Sequence, residues 1–326
     1  LKNISSNFEF TIYPLYESLV ARLPRSSGLS ELQILVGAHY DTVPNSNGTD
    51  DNASGVASVL EIARVLSNYS WPCDLLFTLF NAEENGRLGS QEIAEQFSHD
   101  ARPTRVFTLD MILWNQETGI RQVLYDDRMN DIKSKFFGLL MQNFSRDFGQ
   151  TDLTLTPRQD QSRWDLSDHG RFWDLQIPTI LVTEENPFAN PYYHKPTDII
   201  TNTDYDFAGA RQVTATLATT ISYVALTSTD TDQDGLTFAE ENYLNTDPLN
   251  NDTDRDGLSD LEEALGATDP LNNDTDGDNI LDGEEGFFIF NTQEIIVFLF
   301  SGLGFMLVVL FFVGCWIIGR YKKKHS

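Results

Sequence analysis

The stretch GAHYDTVPNSNGTDDNASG, residues 37–55, joins an apolar segment to an apolar helix and decides the fold. Before it, LQILVGA at 32–38 is a short apolar run typical of a buried strand. After it, SGVASVLEIARVL at 54–66 carries apolar residues at helical spacing. Between them lie one histidine and three aspartates, His39, Asp41, Asp50 and Asp51. The pattern indicates either an ordinary acidic loop or one half of a metal site.

The same alternation of strand and helix signals continues over residues 7–226. Further buried strands are predicted at 73–80, 104–110 and 177–183, and further helices at 86–98, 129–146 and 205–226. Alternation of this kind predicts an α/β fold, a three-layer α/β/α sandwich with a mixed, largely parallel central sheet. Residues 149–176 carry weak signals and are predicted to form a long functional loop.

The negative charge of the chain is concentrated in one segment. The net charge is −27 over 326 residues, and residues 230–285 contribute −18 of it through nineteen acidic residues and one basic residue. A surface this negative excludes nucleic acid as a partner. The two cysteines, Cys73 and Cys315, form no disulfide framework, so the core or bound metals must hold the fold.

The acidic segment is an internal repeat. DTDQDGLTFAEE begins at 230, DTDRDGLSDLEE at 252 and DTDGDNILDGEE at 274, so the copies are 22 residues apart. Carboxylates at positions 1, 3, 5 and 12 supply hard oxygen ligands for structural Ca²⁺. These residues are Asp230, Asp232, Asp234, Glu241, Asp252, Asp254, Asp256, Glu263, Asp274, Asp276, Asp278 and Glu285. The copies resemble thrombospondin type 3-like calcium repeats and predict a calcium-stiffened stalk at 229–286; the alternative is a solvated acidic linker.

The C-terminal part predicts a membrane anchor. IIVFLFSGLGFMLVVLFFVGCWIIG, residues 295–319, contains no charge. As a helix rising ~1.5 Å per residue it is long enough to cross a ~30 Å hydrocarbon core. The basic tail RYKKKHS, residues 320–326, places the C-terminus in the cytoplasm and everything before the span outside it. We therefore expect a single-pass protein of the cell membrane; the alternative is a sorting signal that is later cleaved. Because the chain starts with Leu1, we expect a processed or truncated start.

A histidine or carboxylate follows every predicted strand. In open α/β sheets, sites lie at the carboxyl ends of the strands. The residues at these ends are His39, Asp41 and Asp51 after the first strand, Glu83 and Glu84 after the second, Asp110 at the end of the third and His194 after the fourth. A single strand-end carboxylate is more often a cap or turn residue. Such residues after all four strands predict a shared site.

The inventory of side chains suits two divalent metal ions. Imidazole and carboxylate ligands together are typical of catalytic zinc. Two ions ~3.5–4 Å apart can share a hydroxide and stabilise a developing oxyanion. Such a site also needs an uncoordinated base, and the adjacent pair Glu83 and Glu84 can divide the work, because neighbouring side chains point differently. One would bind metal while the other handles protons.

Six motifs, GAHYDTV, DDNASG, NAEENG, LDMI, SDHGRFWDLQIP and YYHKPTD, occur in an order that resembles the secreted di-zinc aminopeptidase family. The resemblance covers roughly residues 7–226 and implies a zinc exopeptidase catalytic domain at 1–228 that acts on peptides. It implies one Zn²⁺ held by His39, Asp51 and Asp110. It implies a second held by Asp51, Glu84 and His194. Glu83 would be the general base, which takes a proton from the bridging water and returns it to the leaving amine.

The resemblance also implies supporting residues. Asp41 would orient His39. Asp198 would support the loop of His194, or else cap a helix. Tyr193 would stabilise the tetrahedral oxyanion. Asp168 and His169 would shape the pocket without binding metal, and Asp50 stays an alternative to Asp51 as the bridging ligand.

Four functions fit this reading, and an aminopeptidase is favoured. A glutaminyl cyclase of the same fold works with one zinc. A carboxypeptidase would need basic residues to bind a C-terminal carboxylate, for which Arg158, Arg163 and Arg171 are candidates. A non-catalytic binding ectodomain is the weakest reading, because all five ligands and the base are present. The sequence predicts neither an oligomeric state nor a side-chain preference.

Overall fold

The computed structural model describes residues 6–26, 28, 30–114, 121–126, 132–147, 153–157, 166–266, 268–285, 288–291, 294–299 and 306–309. The main strands are β1 (Glu9–Tyr13), β2 (Ser18–Leu23), β3 (Gln33–His39), β4 (Asp74–Phe80), β5 (Thr104–Leu109), β6 (Arg121–Tyr125), β7 (Leu153–Pro157) and β8 (Thr179–Glu184). They form one eight-stranded sheet in the order β1-β2-β4-β3-β5-β8-β6-β7. The central strands β4, β3, β5 and β8 are parallel, whereas β2 and β6 pair antiparallel with β4 and β8.

Helices cover both faces of this sheet. The helices that the structure describes are α1 (Gly55–Leu66), α2 (Leu88–Ser98), α3 (Ile132–Asp147), α4 (His169–Asp174), α5 (Phe207–Leu226), α6 (Phe238–Leu244) and α7 (Asp260–Leu265). Helices α1, α3 and α5 pack together on one side of the sheet, and α2 packs with α4 on the other.

Strand β3 shows how the sequence places the two cores. Because side chains alternate along a strand, neighbours face opposite sides of the sheet. Ile34 joins the cluster that contains Ile62 of α1 and Leu217 of α5. Leu35 joins the cluster that contains Ile93 of α2. The predicted α/β fold with one mixed, largely parallel sheet is confirmed, and the two clusters give it helix, sheet and helix layers.

The predicted long loop at 149–176 contains regular structure that its sequence does not signal. The described part includes β7 and the short helix α4. Strand β7, LTLTP, lies at the edge of the sheet and buries fully only its first residue, so it lacks an apolar pattern. Helix α4 has six residues, too few to show helical periodicity.

The segment 295–319 differs from its predicted helix in the part that the structure describes. Strands β10 (Glu294–Leu299) and β11 (Met306–Val309) pair antiparallel, and β10 also pairs with β9 (Phe288–Asn291). An unbroken apolar run does not distinguish helix from strand, and Ile, Val and Phe favour strands. Within the described ranges, no helix has the length and apolar character needed to cross a membrane. The rest of 295–319 and the tail 320–326 lie outside the described residues.

The first acidic repeat packs directly on the sandwich. Arg105 of β5 donates two hydrogen bonds to the Glu240 carboxylate of α6, at 3.0 and 3.1 Å, and both side chains are buried. The Lys133 ammonium donates to the carbonyl of Gly235 at 2.7 Å. Ala239 belongs to the larger core cluster. The domain boundary predicted at 228 therefore separates parts of the chain that contact each other in the structure.

Candidate active site

The parallel strands bring four chain segments to one edge of the sheet. His39 is the last residue of β3, and Asp110 directly follows β5. A side chain at Gly55 would meet Asn52 Oδ1 at 2.5 Å and the Leu109 carbonyl oxygen at 2.8 Å. Glycine thus allows α1 to begin against the end of β5, which places the DDNASG loop beside both metal-ligand candidates.

The first cluster consists of His39, Asp51 and Asp110. His39 Nε2 lies 3.4 Å from Asp51 Oδ1 and 3.4 Å from Asp110 Oδ1. One ligand atom from each residue lies within 4.8 Å of the others. The three can therefore surround a single cation.

The second cluster shares Asp51 with the first. His194 Nε2 lies 3.2 Å from Asp51 Oδ2 and 3.1 Å from Glu84 Oε2. Asp51 directs one carboxylate oxygen towards each histidine. The structure thus brings all five predicted ligands together, in the two groups that the resemblance implies.

Asp50 faces away from the site. Its carboxylate accepts hydrogen bonds from the backbone N–H groups of Leu113 and Trp114, at 2.8 and 3.1 Å, and from Asn190 Nδ2 at 3.0 Å. These three donors hold the buried side chain against the segment that follows β5. The geometry favours Asp51, rather than Asp50, as the carboxylate between the two clusters.

Asp41 ties the first histidine to the loop after β4. Its backbone carbonyl lies 3.1 Å from His39 Nδ1, whereas its carboxylate lies 3.5 Å from the same atom. The carboxylate instead accepts hydrogen bonds from the N–H groups of Glu83 and Glu84, each at 3.1 Å. Asp41 therefore positions the Glu83–Glu84 turn as well as His39.

Asp198 holds the backbone next to the shared carboxylate. It accepts hydrogen bonds from the N–H of Asp50 at 2.8 Å, from the N–H of Asp51 at 3.2 Å and from the Tyr205 hydroxyl at 2.6 Å. The alternative prediction for Asp198, a helix cap, is wrong, because Asp206 caps α5. Asp198 links the loop of His194 to the loop of Asp51.

The electrostatics of both clusters favour bound positive charge. Burial lowers the pKa of His39, but the carboxylates of Asp110, Asp41 and Asp51 outweigh it and hold this pKa well above its usual value. Burial and then the Asp51 charge raise the pKa of Glu84 to about 7. Glu84 Oε1 is buried and accepts no hydrogen bond within the described part of the chain. The two imidazoles and three carboxylates, one of which carries this unpaired oxygen, fit divalent cations.

Glu83 belongs to neither cluster although it borders both. It is 9% exposed and lines the same cleft as Asp51, Glu84 and Asp110. Burial, and then the charge of Asp168, raise the pKa of Glu83 to about 9. Nearby divalent cations would stabilise the ionised form and lower this pKa again. A buried carboxyl group beside a metal centre but outside its ligand set is suited to proton transfer.

A cleft opens onto the clusters. Its lining combines the acidic residues with Met111, Leu124, Leu166, Leu181, Phe188, Ser167, His169, Thr183, Pro187, Tyr193 and His194. The Tyr193 ring stacks on the His194 ring with centroids 3.8 Å apart. His169 borders the cleft as predicted, whereas Asp168 is buried beneath it and 1% exposed.

The pattern of motifs does not single out Glu184 and Asn190. The Asn190 amide donates to Asp50 and, at 3.1 Å, to Glu184 Oε1. Glu184 is the last residue of β8, so the strand-end argument that selects Asp110 also applies to it. No comparable signal marks Leu124 or Leu181, because their apolar side chains resemble those of any core strand.

Known proteins resemble this chain both in sequence and in fold. Aminopeptidase YwaD of Bacillus subtilis is 34% identical over 172 residues, 51% of this chain and 36% of that protein. Uncharacterized protein YfbL of Escherichia coli is 29% identical over 203 residues, 53% of this chain and 61% of that protein. The chain thus spans less than two thirds of the length of these curated relatives.

Among solved structures, the aminopeptidase from Aneurinibacillus sp. strain AM-1 matches with a TM-score of 0.51 and 27% identity. The match covers 64% of this chain and 47% of that one. LapB from Legionella pneumophila has a TM-score of 0.57 at 21% identity, covering 69% and 62%, a likeness of fold alone. The family model described as Peptidase family M28 matches residues 18–220, which include both clusters and Glu83. Since this match extends over more than half of the sequence, the chain belongs to peptidase family M28.

Proposed function

We propose that the protein is a zinc-dependent aminopeptidase that hydrolyses the first peptide bond of peptides. The observation that carries this proposal is the placement of Asp51 between two ligand clusters, with the buried Glu83 on the wall of the same cleft. Membership of the M28 family and the aminopeptidases among its relatives support it.

The ligand set favours zinc in both clusters. Each cluster offers one imidazole and two carboxylates, with Asp51 counted in both. Mixed nitrogen and oxygen ligands of this kind are typical of catalytic zinc and leave positions open. When bound, the two ions would polarise the scissile carbonyl and lower the pKa of water.

Glu83 would move the proton during hydrolysis. Its carboxylate would accept a proton from the attacking water and pass it to the amine of the leaving peptide. Asp41 supports this role, because its carboxylate fixes the backbone N–H of Glu83 at 3.1 Å. The same carboxylate fixes Glu84, so ligand and base are held by one residue.

The side chains of the cleft offer no basic partner to a substrate carboxylate. Its described lining contains four acidic side chains and neither lysine nor arginine. Three of the acids, Asp51, Glu84 and Asp110, would be neutralised by the proposed zinc ions, so what disfavours a carboxypeptidase is the lack of a basic side chain in this lining. Of the arginines proposed for a carboxypeptidase, Arg171 donates to the carbonyl of Gly86 at 2.9 Å outside the cleft lining. Arg158 and Arg163 lie outside the described residues.

Short peptides with free and blocked ends test this function. We expect the purified protein to release the N-terminal residue of a free peptide and of its C-terminally amidated form. The N-acetylated form should resist, and a zinc chelator should abolish release. Cleavage from the C-terminal end, or unchanged cleavage with the chelator, would contradict the proposal.

We further propose that the Tyr193 hydroxyl stabilises the oxyanion formed at the scissile carbonyl. The ring lines the cleft and stacks on His194. Loss of one such donor typically costs about 10²-fold in kcat. Tyr193→Phe should therefore lower kcat by about that factor and change KM little. The matched control is Tyr192→Phe, since the Tyr192 hydroxyl donates to Asp204 instead. Equal kinetics in both variants would exclude this role.

The acidic repeats would bind Ca²⁺. In the first and second copies, the aspartates at positions 1, 3 and 5 offer oxygen atoms within 4.8 Å of one another. Each loop also turns its backbone inwards: the N–H groups of Gly235 and Gly257 donate to Asp230 and Asp252 at 3.0 and 3.1 Å. Clusters of carboxylates on a tight turn suit calcium. A direct calcium titration of the full chain tests this proposal.

The apolar segment 295–319 would anchor the protein in the cell membrane, with the catalytic unit outside the cytoplasm. Support comes from its 25 residues without a charge and from the basic tail that follows. We expect the full chain to stay with membranes after washing at alkaline pH, and a chain ending at residue 293 to be released. Release of both chains would contradict the anchor.

A further inference from the structure

Two buried aspartates outside the predicted calcium ligands occupy equivalent places in the second and third repeats. Asp260 and Asp282 are 22 residues apart and are 0% and 2% exposed. Each accepts hydrogen bonds from a threonine of its own repeat, Asp260 from the N–H of Thr253 at 2.8 Å and Asp282 from the N–H of Thr275 at 3.1 Å. The two residues are therefore held by the same local structure.

Asp282 lies among the carboxylates of the preceding repeat. Asp282, Asp256 and Glu263 each place an oxygen atom within 4.8 Å of the others, and all three are buried. Asp256 is also grouped with the first two aspartates of its own loop. The N–H of Gly283, next to Asp282, donates to Asp256 Oδ2 at 3.0 Å, so backbone and carboxylate of the third repeat approach the second together.

Asp260 stands in the corresponding place relative to the first repeat, one repeat length before Asp282. Glu241 is 0% exposed, and neither of its carboxylate oxygens accepts a hydrogen bond within the described part of the chain. A side chain at Gly235 would meet Leu261 at 2.8 Å, which shows how closely the two repeats pack. A buried carboxylate without partners requires a cation or a proton.

We propose that the calcium sites of the first two repeats are each completed by the following repeat, with Asp260 closing the site of the first repeat and Asp282 that of the second. This inference rests on the proposed calcium binding and adds an inter-repeat ligand to it. Ca²⁺ takes six to eight oxygen ligands, so a fifth carboxylate fits the coordination shell. Because a ligand from the next repeat joins each ion, calcium would lock the repeats to one another.

The third repeat lacks such a closing residue at the repeat distance. Gly304 stands 22 residues after Asp282, and Glu294 is the sole further carboxylate side chain in residues 286–326. The loop aspartates of the third repeat are also more exposed than Asp256 of the second. The third loop should therefore bind Ca²⁺ more weakly than the first two.

Calorimetric titration of the full chain with Ca²⁺, with zinc retained, tests the proposal. We expect two tighter sites and one weaker site. Asp282→Asn should lower the affinity of one tight site at least about tenfold, because the site loses a charged ligand. Asparagine can still accept a hydrogen bond from Thr275. Glu284→Gln, which removes the same charge from an exposed position in the same turn, should leave all sites within about twofold.

A second variant separates failure of this inference from failure of calcium binding itself. Asp254→Asn removes a ligand from within the second repeat. If Asp254→Asn weakens a site and Asp282→Asn does not, the repeats bind calcium singly and the inter-repeat ligand is excluded. If the unaltered chain binds no calcium, the proposed calcium function fails. Retained peptidase activity shows that each variant is folded.

Discussion

Replacing Glu83 with glutamine is expected to lower kcat/KM for peptide hydrolysis by about 10²–10⁴-fold, the usual contribution of general acid–base catalysis. Glutamine has nearly the same shape but does not take up a proton at neutral pH. Glu83 belongs to neither ligand cluster, so both metal ions should remain. Steady-state kinetics and metal analysis on the same preparation measure the two effects separately.

The neighbouring substitution gives the contrast for this experiment. Glu84→Gln removes a charged group 3.1 Å from His194 Nε2, so it should lower the zinc content of the protein. The two substitutions are at adjacent positions, and each removes one negative charge. Full activity of Glu83→Gln would show that Glu83 is not the base, and zinc loss in that variant would show that it is a ligand.

Asp51→Asn is expected to have the second large effect, the loss of metal from both clusters. The carboxylate stands between His39 and His194, so its charge acts on two cations at once. At an effective dielectric constant of about 20, two unit charges ~4 Å apart interact by about 4 kcal/mol, and the interaction with a divalent ion is larger. A loss of about 4 kcal/mol already corresponds to about 10³-fold in affinity for each ion. Zinc titration against a chelator of known affinity measures the change.

Asp50→Asn is the matched control for this variant. Asp50 is paired with backbone N–H groups and Asn190, so its loss should lower thermal stability while the folded protein keeps both ions. The reverse outcome, zinc retained in Asp51→Asn and lost in Asp50→Asn, would identify Asp50 as the shared ligand.

The proximity of the proposed ligands was predictable from the sequence because the fold itself brings strand ends together. Strand patterns are local, and parallel strands place their carboxyl ends at one edge of a sheet. His39 and Asp110 could therefore be expected near each other although they are 71 positions apart. Glu83 and Glu84 follow from the same argument applied to β4.

The partners of these ligands were not predictable in the same way. Asp198 binds the backbone of Asp50 and Asp51 from 147 to 148 positions away, and its short motif does not specify that contact. Asn190 likewise connects two buried carboxylates through loop packing. Hydrogen bonds between loops depend on how the loops pack, for which neither periodicity nor spacing is a guide.

The repeats show a related difference between spacing and packing. The 22-residue period gives the proposed ligands within each copy, because a loop of twelve residues can surround one ion. Asp260 and Asp282 stand at position nine, where the first copy has Phe238. The approach of Asp282 to the preceding copy depends on how the copies pack, which the period does not give.

Zinc content and hydrolysis, measured together on one preparation of the full chain, test the two-metal site most directly. We expect two zinc ions per chain, release of N-terminal residues from free peptides, loss of both on chelation, and recovery of activity as the second ion returns. One zinc ion per chain with cyclisation of N-terminal glutamine, and no peptide hydrolysis, would contradict the account.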